Sequence, residues 1–171
     1  MIAVTVNHAK SKLALGMRCC LVALAVLLPA GCATPRAASR ISDPAYQQEL
    51  RRTAAATLGP ETPYVAVTIP SGGHLADALF VAQSVIFGPS RTAASVARLL
   101  AEADASGRTL VIAGPNPVKV GRVLYDALRA VRPEQRPRIL WLAPASSARL
   151  ARRIERRCNV EIILAEPHQG L

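Results

Sequence analysis

From position 64 onward, short runs of apolar residues recur, and longer segments with helical periodicity separate them. Tyr64-Val65-Ala66-Val67-Thr68-Ile69 lies between Pro63 and Pro70. So short a run, rich in β-branched residues and bounded by prolines, predicts a buried strand. Three more runs follow: Thr109 to Ala113, Ile139 to Leu142, and Val160 to Leu164. Ser42-Asp43-Pro44 is a helix start, and Gly59-Pro60 stops that helix after about Leu58. Helices are also predicted over about His74 to Phe87, Arg91 to Ala105 behind a Ser90 cap, Asn116-Pro117 to about Val131, and Ser146 to Arg157.

Strands alternating with helices imply a parallel sheet. Strands that are apolar throughout imply helices on both faces. The expected fold class is α/β, a small three-layer sandwich of about four mostly parallel strands preceded by one helix. Two helices between the first two strands suggest a strand order other than a simple wind.

Residues 1–32 follow a different pattern. Basic residues ending at Arg18 precede an apolar run from Cys19 to Leu28. That run is about half the length a bilayer-spanning helix needs, and it suits the apolar core of a secretory signal. Pro29, Ala30 and Gly31 then lead into Cys32. Small residues directly before a cysteine resemble the lipobox of bacterial lipoproteins, with Pro29 where a branched aliphatic residue is usual. The resemblance implies cleavage before Cys32, acylation of its thiol, and membrane attachment through two or three acyl chains. Ala33 in the next position implies the outer membrane rather than the inner, with the domain facing the periplasm. The expected organisation is a signal peptide over 1–31, a lipidated Cys32 and tether over 32–41, and one α/β domain over 42–171.

Cysteine usage agrees with this division. With Cys19 and Cys20 in the leader and Cys32 acylated, Cys158 is the single thiol left. No intramolecular disulfide is then expected, and Cys158 is expected to be buried.

The formal charge of +10 is unevenly placed. Ten arginines between Arg122 and Arg157 face only Asp126, Glu134 and Glu155. Arg149, Arg152, Arg153, Arg156 and Arg157 fall at helical spacings that form a basic stripe opposite Leu150 and Ile154. Such a stripe is either a solvated face or a surface that meets anionic lipid, acidic polysaccharide or an acidic partner. Nucleic acid is not expected as a partner, because no aromatic residues interleave the arginines and no binding module is recognisable.

Ligands of open parallel sheets bind beyond the carboxyl ends of the strands. Those ends carry Ser71-Gly72-Gly73-His74, Asn116, and Ser146-Ser147, with His168 near the last. The Gly-Gly-His turn resembles that of the lipid-linked GlcNAc transferases, over four residues and without the second nucleotide-binding domain of that family. The simpler expectation is a tight turn with Ser71 as helix cap. There is no Walker loop, dinucleotide fingerprint or serine elbow. Ser71 or Ser146 could pair with His74 as base, with Asp77 one helical turn beyond it, but nothing in the spacing requires that pairing. Neither a catalytic set, a metal site nor a cofactor is expected, and the acids are expected in solvated ion pairs.

The function expected from these features is a lipid-anchored accessory protein of the cell envelope. It would be a non-catalytic binding or assembly component of a secretion, pilus or polysaccharide-export system. Its partners would be the membrane, through the anchor, and an envelope protein or anionic surface. The alternative is a small-ligand-binding protein or enzyme, sugar- or phosphate-directed, using the strand-end loops.

Overall fold

The computed structural model describes residues 44–167 except Pro133 and Arg136. The expected leader, Cys32, the tether, the Ser42-Asp43 start and His168 lie outside the described residues.

The element order is α1 (Pro44–Leu58), β1 (Tyr64–Thr68), α2 (His74–Phe87), α3 (Arg91–Ala105), β2 (Thr109–Ala113), α4 (Pro117–Ala130), β3 (Arg138–Leu142), α5 (Ala148–Cys158) and β4 (Ile162–Ala165). A single 3-10 turn, Ala145–Ser147, leads into α5. The four strands are all parallel, in the order β1-β2-β3-β4. The α/β sandwich expected from the sequence is therefore present, but the sheet is a simple wind. The second helix of the β1–β2 connection does not reverse the strand order. It is α3 that packs on β1 and β2, while the principal contacts of α2 are with α4.

This order explains the helix that precedes the sheet. Right-handed crossovers between strands laid down in sequence place the connecting helices on one face. There Leu110, Ile112, Ile139, Trp141 and Ile162 pack with Val96, Leu100, Val123, Leu124 and Ile154. The alternate residues Val111, Ala113, Leu140 and Leu142 point the other way, and Tyr46, Leu50 and Ala54 of α1 cover them. Without α1 that second apolar face would be open to water. β2 is buried along its whole length, as is β3 from Ile139 on, whereas β1 at the sheet edge is half-buried.

Local capping follows the sequence in part. Ser90 Oγ accepts a hydrogen bond from the Ala93 amide at the start of α3. Asn116 Oδ1 accepts from the Val118 and Lys119 amides at the start of α4. Ser71 does not cap α2: the N-cap is Gly73, which makes no side-chain cap bond. Gly73 (φ 94) and Gly88 (φ 89) bound α2 in a backbone region unfavourable to residues with a side chain.

Candidate functional site

A parallel sheet directs the carboxyl ends of all its strands to one edge, so the loops after β1 and β2 are neighbours there. At that edge Asp77, in the first turn of α2, is 1% exposed. Its Oδ2 accepts from Ser71 Oγ at 2.5 Å and from Asn116 Nδ2 at 3.0 Å. Its Oδ1 accepts from the Gly72 amide at 3.1 Å and from Lys119 Nζ at 2.8 Å. Lys119 also donates to the Pro70 carbonyl at 2.7 Å and lies 5.0 Å from the centre of the Phe80 ring. Ser71 Oγ in turn accepts from the Gly73 amide.

Four donors occupy the roughly four lone-pair sites of the carboxylate. Burial alone would raise the Asp77 pKa, but the bonds from Lys119, Ser71, Gly72 and Asn116 outweigh it and hold the group below the ordinary value. A carboxylate so stabilised is a poor general base, since efficient bases titrate near the working pH. Ser71 therefore lacks a base to activate it within this cluster. Chemically, the arrangement is a staple that joins the β1–α2 loop to the β2–α4 loop.

The structure thus gathers Ser71, Gly72, Gly73 and Asn116 and leaves the other strand-end candidates apart. His74 is exposed. Ser146 is exposed in the third loop, and Ser147 is buried with no hydrogen-bond partner for its Oγ among the described residues. The sequence placed Asp77 only one helical turn beyond His74 in a discounted serine–histidine set and passed over Lys119; the structure instead joins Asp77 to Ser71, Gly72, Asn116 and Lys119. The signal was there: Asp77 is the one charged residue of α2, and Lys119 is the one lysine that follows Cys32. Asp126 is a second buried acid, paired with Arg122 at 2.9 Å, and Arg122 also donates to the Ser84 carbonyl of α2. Among the described residues no group of three His, Cys, Asp or Glu side chains is placed to hold a metal.

Helix α2 is inverted in polarity. The residues it buries are Asp77 and Ser84. Leu75 (65% exposed), Leu79 (46%), Val85 (64%), Ile86 (71%) and Phe87 (82%) point outward. An ordinary surface helix does the opposite, and contiguous exposed apolar side chains mark interaction surfaces. Beside α2, a groove of about 190 Å³ is lined by Val81, Val118, Tyr125, Leu150, Arg153 and Arg157, among others. It lies between α2, α4 and α5, with Val81 as its lining residue from α2 and with Arg122, Arg153 and Arg157 among the rest.

The predicted arginine stripe is exposed at all five positions, while Ala151 and Ile154 are buried beneath it. Cys158 is half-buried, less enclosed than the sequence suggested. Burial raises its pKa, against the opposing pull of Arg129 and Arg157. Among the described residues no helix is long and apolar enough to cross a membrane.

No family model matches the chain, and neither a curated protein nor a solved structure is significantly similar to it.

Proposed function

We propose that this chain is a lipid-anchored, non-catalytic binding component of the bacterial cell envelope. Acyl chains on Cys32 hold it at the membrane, facing the periplasm, and it docks through the face built by α2, α4 and α5. The inverted polarity of α2 carries this reading. Exposing five large apolar side chains is unfavourable in water, and a docked surface removes that penalty at about 25 cal/mol per Å² covered. The occupied carboxylate of Asp77 supports a structural rather than catalytic role for the strand-end loops. A secretion, pilus or polysaccharide-export assembly is the setting proposed from the anchor and the basic face.

The second reading, small-ligand binding at the strand ends, draws on the convergence of Ser71, Gly72, Gly73 and Asn116. It makes the cluster the functional part and α2 incidental.

Site-specific photocrosslinking in intact cells separates the two. A photoreactive residue replacing Ile86 is expected to capture an envelope component, lipid or protein. The same group replacing Arg51 on α1 is expected to capture nothing. Capture at neither position would contradict the docking role.

A further inference from the structure

The α2 face fits one kind of occupant better than others, and its shape and charge say which. A partner helix needs a groove lined by apolar side chains. Here the most exposed apolar residues, Ile86 and Phe87, stand at the end of a ridge, and the adjoining groove is only about 190 Å³. A ridge of uncharged apolar side chains about 20 Å long suits the headgroup boundary of a bilayer, into which apolar helix faces sink about 5–10 Å. The flanking charge suits the same surface. Arg153 and Arg157 are exposed on the α5 side of the groove, whereas Arg122, on its α4 side, is already held by Asp126 and the Ser84 carbonyl. Guanidinium groups pair with phosphate through two parallel hydrogen bonds. No acidic side chain lines that groove.

The chain outside the described residues adds a second argument. Cys32 and Pro44 are 12 residues apart, so an extended connection reaches at most about 40 Å. That exceeds the thickness of three packed layers at roughly 10 Å spacing. A domain tethered at α1 can therefore turn its opposite side, where α2 and α5 lie, toward the bilayer that holds the anchor. Tethering also keeps the local lipid concentration high, so a weak surface suffices.

We infer that α2, through Leu75, Leu79, Ile86 and Phe87, seats on an anionic phospholipid surface with Arg153 and Arg157 on lipid phosphates. This rests on the docking role proposed for that face, and it names the occupant. The anchored domain then lies against its membrane and presents its α1 side outward.

The test uses the full-length, processed protein reconstituted into vesicles. A Phe87→Trp substitution places a reporter at the ridge tip, and Arg51→Trp places one on α1; native Trp141 is fully buried and gives a constant background. Brominated phospholipid is the quencher. Expected is quenching at position 87, and not at position 51, in vesicles rich in phosphatidylglycerol. The Arg153→Glu, Arg157→Glu pair should lower quenching at position 87, since each arginine at an anionic surface contributes about fivefold to partitioning. Solvent-exposed, unquenched emission at position 87 overturns the inference. Intact mass, read on the same sample, reports on the anchor separately. An acylated but unquenched protein leaves the anchored docking role standing with a protein as occupant. A quenched protein without acyl chains supports lipid seating and removes the anchor.

Discussion

Lys119 Nζ lies 2.8 Å from Asp77 Oδ1, although the two residues are 42 positions apart. They come from the first turns of two different helices, α2 and α4, each opening where a neighbouring strand ends. The pair fixes the distance between those helices, and so sets where α2 sits against α4. With this polar anchor on its inner side, α2 turns its large apolar side chains outward.

Removing the anchor is expected to be costly. Asp77→Ala leaves an amine that is only partly exposed without its counter-ion, and also frees Ser71, Gly72 and Asn116. Breaking one side of such a pair costs about 3 kcal/mol. Lys119→Met combined with Asp77→Asn should cost clearly less than the sum of the two single changes. Urea denaturation of the four proteins provides the comparison.

The same carboxylate sets a pH dependence. Its pKa is lowered in the folded chain, so the unfolded state takes up a proton first as the pH falls. The stabilisation is fully present above the ordinary carboxylate value, and it is lost as the pH drops below about 4 toward the folded pKa. Thermal unfolding across the acid range should show that loss in the native protein. Asp77→Asn, less stable near neutral pH, should show a flatter curve that approaches the native one at the acid end.

Much of the fold was legible in the sequence, and the shortfalls have physical causes. β2 was legible as a short, continuously apolar run, and α3, α4 and α5 as segments whose apolar positions repeat at helix spacing; α2 was bounded correctly although its apolar side chains point outward. The strand order was misjudged because two helices between β1 and β2 look like a reversal. Nothing in the one-dimensional pattern shows that α2 is pushed off the sheet onto α4. The role of Asp77 as a shared acceptor escaped for a related reason. A single acid in a helix reads as solvated until folding brings Asn116 and Lys119 to it from a distant segment. Ser71, Gly72, Gly73 and Asn116 were legible as strand-end residues, but their common partner was not.

The packing at the second strand end makes a further prediction. A Cβ on Gly114 would lie 2.5 Å from the Ile69 carbonyl oxygen and 2.7 Å from Val120 Cγ2. Neither neighbour yields easily: one is backbone, and the other belongs to a fully buried residue. Gly114→Ala should therefore destabilise by about 1–3 kcal/mol, measured by chemical denaturation.

His74 separates the docking and small-ligand readings at little structural risk. It is exposed and stands outside the Asp77 cluster. His74→Ala is expected to leave stability within about 0.5 kcal/mol of native and to leave photocrosslinking at position 86 unchanged. A loss of cellular function at native stability and native crosslinking would favour the strand-end reading.

The most direct test of the whole account is the intact mass of the membrane-extracted protein beside a Cys32→Ser variant. The expected mass is that of a chain beginning at Cys32 with acyl chains attached, and the variant should be unprocessed or released from the membrane. An uncleaved chain without lipid would contradict the anchor.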